Sequence, residues 1–181
     1  MTYLPMPIVT IRNDGQAEKT AAANHLEYYY NEMKRDGTLQ YAFYDGSAHD
    51  FERFLQIAFS DKVLFLLIYD KDNIHIPVAH VHLTDFMGYS AMVHFNILRQ
   101  HHKNALLIGK DGVTFLFDLK RPDATPLVKC LVGITPHSNR AAVAFVLRLG
   151  FKRLGYFDDA CYLMYRKKYN NGILTKAVNN G

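Results

Sequence analysis

Three histidines of this chain fall on strand-like alternation. His80 and His82 lie two residues apart in 76-IPVAHVHLT-84, and His94 lies two before Asn96 in 91-AMVHFNIL-98. Alternate residues of an extended strand share a face, so each pair points one way. Imidazole titrates near neutral pH and takes or gives a proton, directly or through water. For each histidine alone, a satisfied structural role is the competing reading. Paired strands that gather all three would favour proton chemistry. A metal site from His80, His82 and His94 is disfavoured, because no carboxylate or cysteine completes a familiar ligand spacing.

The second chemical stretch follows at once, 98-LRQHHKNALLIGKDGVTFLFD-118. It reads as a strand end, a loop and a helix in which Ala105, Gly109, Gly112 and Leu116 recur at helical spacing. A helix N-terminus behind a strand is a natural anion site, because its free N–H groups point at the ligand. Such loops use glycine for close backbone approach. This one has Gln100, His101, His102, Lys103 and Asn104 instead. Either Lys103 and the two histidines return by side chain what glycine would have allowed the backbone, or the loop is merely solvated. Gly109 and Gly112 each cost a helix about 1 kcal/mol relative to alanine. Close packing onto a sheet or ligand would explain them; a helix break at Lys110–Gly112 is the alternative.

The whole chain bounds these readings. Its 181 residues make one domain with room for a core. The composition, 49% hydrophobic and 21% charged, is that of an ordinary globular protein. No apolar run is long enough to span a membrane. The opening MTYLPMPIVTIRND has no basic region followed by an apolar core, so no secretory signal is expected. A formal charge of +4 suits an anionic ligand without requiring one. No dense Lys/Arg run supports a nucleic-acid partner. Cys130 and Cys161 sit in apolar segments and read as reduced thiols of a cytoplasmic protein.

The elements that must position this chemistry are read as follows. Strands are expected over 6–12, 63–69, 76–84, 91–98, 126–134, 151–157 and 160–167, the last two forming a pair around Asp158–Asp159. Helices are expected over 23–35, 48–59 (capped by Ser47), the stretch after the loop, and 139–149 (capped by Asn139 and stopped by Gly150). Residues 1–168 form one domain, and the Asn/Gly-rich 169–181 reads as a flexible tail. The result is an α+β protein, an α/β/α sandwich. Its mixed, mainly antiparallel sheet has six to seven strands, with about four helices.

This order, together with two segments, resembles the GCN5-related N-acetyltransferases. In 131-LVGITPHSNRAAVAFVLRLGFKRLGYF-157, Asn139, Ala142, Leu149, Gly150 and Phe151 match the family pattern. In 100-QHHKNA-105, Gln100 and Ala105 match the ends of the family's phosphate loop, and Lys103 replaces its central glycine. The wording of both segments is similar to a divergent subgroup encoded by bacteriophages and prophages.

The resemblance implies acetyl-CoA as cofactor and direct acetyl transfer to an amine, in the cytoplasm or, for a phage protein, the host cytoplasm or virion. It implies backbone contacts to the cofactor from Phe95 and Ile97, and further contacts from Gln100, His101, His102, Lys103, Asn104, Ala105 and Asn139. The base would come from His80, His82 or His94. The family's thiolate-protonating tyrosine is replaced by Val146, which leaves Tyr156, Tyr162 or water to substitute. Asp36, Asp45, Asp50 and Glu52 would draw a cationic amine, and homodimers are common in this fold. The competing function is a catalytically degenerate member serving as a binding or assembly module.

Overall fold

The computed structural model describes residues 2–7 and 16–179; of residues 16–21 only the helical backbone is described. The strands are β1 (Tyr3–Pro7), β2 (Leu64–Asp70), β3 (Asn73–Met87), β4 (Ser90–Ile97), β5 (Cys130–Pro136), β6 (Lys152–Leu163) and β7 (Lys168–Val178). The helices are α1 (Gln16–Asp36), α2 (Leu39–Ala42), α3 (Phe51–Ala58), α4 (Ala105–Asp118) and α5 (Arg140–Arg148). The strand expected over 6–12 is β1, shifted toward the chain start; its part beyond Pro7 lies outside the described residues.

One seven-stranded sheet runs β1-β2-β3-β4-β5-β7-β6. Every neighbouring pair is antiparallel except β4 with β5. The continuous apolar run of β2 is buried on both faces, Phe65 to Tyr69 throughout, as a central strand should be. Helices cover both sides. Leu26, Tyr29, Tyr30 and Met33 of α1 recur at helical spacing and pack with Phe54 of α3 onto Phe65, Leu67 and Tyr69. Ile108 and Leu116 of α4, the partly buried Phe145 of α5 and Leu149 just after it cover Leu66, Ile68, Val81 and Phe95 on the opposite face.

Caps follow local chemistry. Asp50, not the expected Ser47, caps α3 by accepting from the Arg53 N–H at 2.8 Å. The Ser47 hydroxyl instead donates to Asp45. Asn139 caps α5 as expected, accepting from the Ala142 N–H at 3.2 Å. Gly150 follows that helix at φ +94°, a conformation an L side chain disfavours.

Residues 169–178 are not part of a tail, and 180–181 lie outside the described residues. Up to Val178 the chain forms β7, which lies between β5 and β6. Ile173 and Thr175 are fully buried there. The Asn-Asn-Gly that reads as a loop signal has packing reasons. The Asn171 side chain accepts from the Asp159 N–H and donates to the Asp158 carboxylate. At Gly172 a Cβ would stand 2.6 Å from Ile134 Cγ2. The two strands expected around Asp158–Asp159 are likewise one strand, β6. Its partner throughout is β7, and the aspartates sit in a bulge between Phe157 and Cys161.

Candidate active site

Antiparallel pairing of β3 and β4 sets His82 directly opposite His94, and His80 opposite Asn96. The β2 register places Phe65 opposite His82. Rows of side chains therefore run across the α1/α3 face of the sheet. The rings of His82 and His94 stack at 4.5 Å between centroids, and His80 and His82 at 5.3 Å. Phe65 stacks on both His80 and His82, and Phe43 covers them from the loop after α2.

The three histidines are gathered but not equivalent. His80 and His82 are buried, and the Nδ1 atom of each lacks a hydrogen-bond partner. Desolvation disfavours the imidazolium. Burial, and then His94, holds the His80 pKa at about 3. Burial, followed by His94 and His80, pushes His82 well below its ordinary value. His80, expected as a candidate base, lies beneath the aromatic rings and does not line the cleft. His82 reaches only the floor of the cleft beside it, with its proton affinity suppressed. The stacked rings also set their lone pairs side by side rather than converging on a point. Among the described residues no group of three His, Cys, Asp or Glu side chains could hold a metal ion.

His94 stands at the edge of this stack and opens into a cleft of about 410 Å³ lined by Phe43, Tyr44, Asp45, Ser47, Lys62, His82, Thr84 and Asp85. Burial lowers its pKa, while Asp85 and then Asp45 pull it back up. The ring is therefore neutral at pH 7. Its Nε2 lies 3.1 Å from the Thr84 hydroxyl, which lies 2.7 Å from an Asp85 carboxylate oxygen. Of the carboxylates expected to attract an amine, only Asp45 lines this cleft. Asp36 is occupied with Thr38 and the Arg99 N–H, and Asp50 with its cap. Thr84 and Asp85 were not singled out in the sequence. Thr84 had a signal, since 80, 82 and 84 share a strand face. Asp85 had none: it sits at φ +49°, where β3 breaks register between Thr84 and Met87.

The parallel ladder between β4 and β5 holds only from Ser90↔Cys130 to Met92↔Val132. Beyond Met92 the two strands part, so the backbone of Val93 to Ile97 faces a fork. Phe95 and Ile97 lie on this stretch, with side chains toward α4 and α5. His94 lies on it too, facing the cleft. At the far end of β4, residues 99–104 wind as a tight 3-10 turn into α4.

Two of the expected loop donors are engaged within the fold. The His102 Nε2 meets the Ile97 carbonyl at 3.0 Å, and the Asn104 amide donates to the Tyr3 hydroxyl at 2.9 Å. Gln100 and Lys103 stay exposed and His101 half-buried, beside the half-buried Ala105. Burial lowers the His101 pKa, against an upward pull from Asp70. The helix behind is unbroken. A Cβ at Gly109 would lie 2.7 Å from the Phe145 ring, and one at Gly112 2.9 Å from the Phe95 ring. The glycines let α4 press against both α5 and β4.

Tyr156 is elsewhere. It lies on β6, three strands from β4, which is at least about 14 Å at ordinary strand spacing. Its ring is half-exposed, with the Arg153 guanidinium 3.9 Å over it and His137 edge-on. It does not line the His94 cleft, so the structure does not bring this expected catalytic group together with the histidines.

A seven-stranded sheet with a single parallel pair that splays into a fork is a specific architecture, and its solved relatives agree. The chain superposes on the microcin C7 self-immunity acetyltransferase, in complex with acetyl-CoA and AMP. The TM-score is 0.66 at 17% identity, over 87% of this chain and 88% of that one. It superposes on a spermidine N-acetyltransferase from Vibrio cholerae, with CoA and spermine, at TM-score 0.65 and 11% identity over 98% and 95%. It superposes on the ribosomal-protein-S5-alanine acetyltransferase from Vibrio fischeri at TM-score 0.66 and 12% identity over 99% and 94%.

The fold is that of the GCN5-related N-acetyltransferases.

No protein-family model matches the sequence, and no curated protein matches it. Within this acetyltransferase fold, β4 and β5 form the fork and α4 follows the loop. The position of the family's helix tyrosine, Val146, packs against the core.

Proposed function

We propose that the protein is an acetyl-CoA-dependent N-acetyltransferase. The observation that carries this reading is the fork between β4 and β5, with a neutral, cleft-facing histidine on the β4 arm. Bound acetyl-CoA would supply an activated acetyl thioester. The residues fit it in two respects: the backbone of β4 beyond Met92 is released from β5, and Lys103 stands exposed beside the start of α4. Lys103 and Gln100 hold the phosphates together with the first N–H groups of the loop. The backbone at Phe95 and Ile97 holds the chain of the cofactor, and the Asn139 amide adds a contact from the head of α5.

The acceptor amine enters the cleft beside His94, drawn in its cationic form by Asp45 and Asp85. It must lose a proton before it can attack, and His94 receives that proton. Because burial keeps the ring neutral near pH 7, it is ready to accept. With valine at 146, the departing thiolate takes its proton from water. The altered loop and the missing tyrosine fit the phage-encoded subgroup that the sequence resembles, and two free cysteines suit a cytoplasmic site.

The test is release of free thiol from acetyl-CoA on incubation with a panel of primary amines, polyamines and N-terminal peptides. Thiol release that requires an amine and falls about 100-fold in His94→Ala supports the reading. Wild-type protein that releases no thiol with any amine contradicts it.

A further inference from the structure

We propose that Asp85 is a positioning residue, which acts through the Thr84 hydroxyl to fix the tautomer of His94 and make Nδ1 the basic atom. This rests on the acetyltransferase reading for its role, but its geometry stands alone. The Thr84 oxygen lies between two partners, the Asp85 carboxylate at 2.7 Å and the His94 Nε2 at 3.1 Å. A hydroxyl has one proton to donate, and an ionised carboxylate can only accept. The Thr84 proton therefore goes to Asp85, and its oxygen accepts from His94. That places the imidazole N–H on Nε2 and the lone pair on Nδ1. Stacking on His82, with ring planes 8° apart, holds the ring against rotation.

The backbone has been shaped to allow this. Asp85 sits at φ +49°, a left-handed conformation that few L residues adopt readily. The carboxylate beside Thr84 is reached only because β3 breaks register here. When Nδ1 takes a proton from the amine, the imidazolium keeps its Nε2–H bond to Thr84. The Asp85 carboxylate at the far end of the chain then stabilises the new positive charge. A catalytic base oriented by a third group is a recurrent arrangement; here a threonine is interposed.

The test begins without any substrate. Long-range proton–nitrogen NMR of 15N-labelled protein, with His94 assigned from the spectrum of His94→Gln, reads the tautomer directly at pH 7.5. The expected result is a proton on Nε2 and an unprotonated Nδ1. Thr84→Ser should keep it. Thr84→Val, nearly the same shape but without the acceptor oxygen, should abolish the preference. Asp85→Asn should relax it, since an amide can also donate to Thr84. Asn is among the residues that best tolerate the conformation at 85, so this variant keeps the fold.

A wild-type proton on Nδ1, or an unchanged tautomer in Thr84→Val, overturns the proposal. In turnover, Thr84→Val should lower kcat about 10- to 100-fold with KM for acetyl-CoA unchanged. Asp85→Asn should move the acid limb of kcat to lower pH, because Asp85 raises the His94 pKa. The other groups facing that ring, namely His82, His80 behind it, Asp45, Tyr44 and Lys62, stay in place. A fixed tautomer with no acetyl transfer would sink the enzymatic reading alone. Transfer with an unfixed tautomer would sink the relay alone.

Discussion

Burial of His80 makes stability depend on pH in a calculable way. In the unfolded chain its pKa is the ordinary 6.5, and in the fold it is about 3, because the ring lies under Phe43, Phe54 and Phe65 away from water. The unfolded state therefore binds a proton below pH 6.5 that the folded state refuses. Stability is full above 6.5 and is lost as pH falls from 6.5 toward 3. At pH 5 the unfolded site is 1.5 units below its pKa, and each unit is worth about 1.36 kcal/mol, so His80 alone removes about 2 kcal/mol. A folded pKa anywhere below about 4 gives the same answer, so the figure rests on the burial rather than on its exact depth. His82 acts in the same direction. For a chain of 181 residues, 2 kcal/mol lowers Tm by about 4–8 °C. Urea unfolding at pH 7.5 and pH 5.0 measures the loss. His80→Phe, which suits an aromatic pocket and leaves no orphaned nitrogen, should remove about 2 kcal/mol of that pH dependence. A wild-type stability that is the same at both pH values, or a His80→Phe variant with an undiminished slope, would refute the argument.

Two further outcomes follow from packing. Gly109→Ala gains about 1 kcal/mol of helix propensity. It also forces a Cβ within 3 Å of Phe145 and Leu149, an overpacking cost of about 1–3 kcal/mol. Thermal melting should show a net loss of about 1 kcal/mol, and a rise in Tm would contradict the close α4–α5 approach. Truncation after Tyr169 removes β7 from between β5 and β6, so circular dichroism should show a chain that no longer folds cooperatively. A truncated chain that melts like the full one would show β7 to be dispensable.

The four longer helices and strands β2 to β4 were legible because their patterns are local, whereas the short α2 and the true start of β1 were not. The α1 face recurs at 3.6 residues, β2 is an unbroken apolar run, and Asn139 and Gly150 bracket α5. The end of the chain was misread for an equally physical reason. Asn and Gly signal turns by default, and only tertiary partners show that Asn171 secures a bulge and Gly172 makes room for Ile134. At the site, strand alternation brought His80, His82 and His94 into view as a set. It could not rank them, since burial beneath Phe43 and Phe65 comes from elements distant in sequence. Nor could it find Asp85, whose place depends on an irregularity in β3. The loop 99–104 was correctly seen as glycine-free. That His102 and Asn104 would turn inward, to the Ile97 carbonyl and the Tyr3 hydroxyl, was written nowhere in the local pattern.

The central claim is that the fork and the basic loop hold acetyl-CoA. Calorimetric titration of the purified protein with acetyl-CoA, repeated with Lys103→Glu, tests it most directly. The account predicts micromolar binding to the wild type and a loss of at least tenfold in Lys103→Glu, since a phosphate contact is replaced by repulsion. Absence of heat at several hundred micromolar acetyl-CoA would contradict it and leave an acetyltransferase fold serving another purpose.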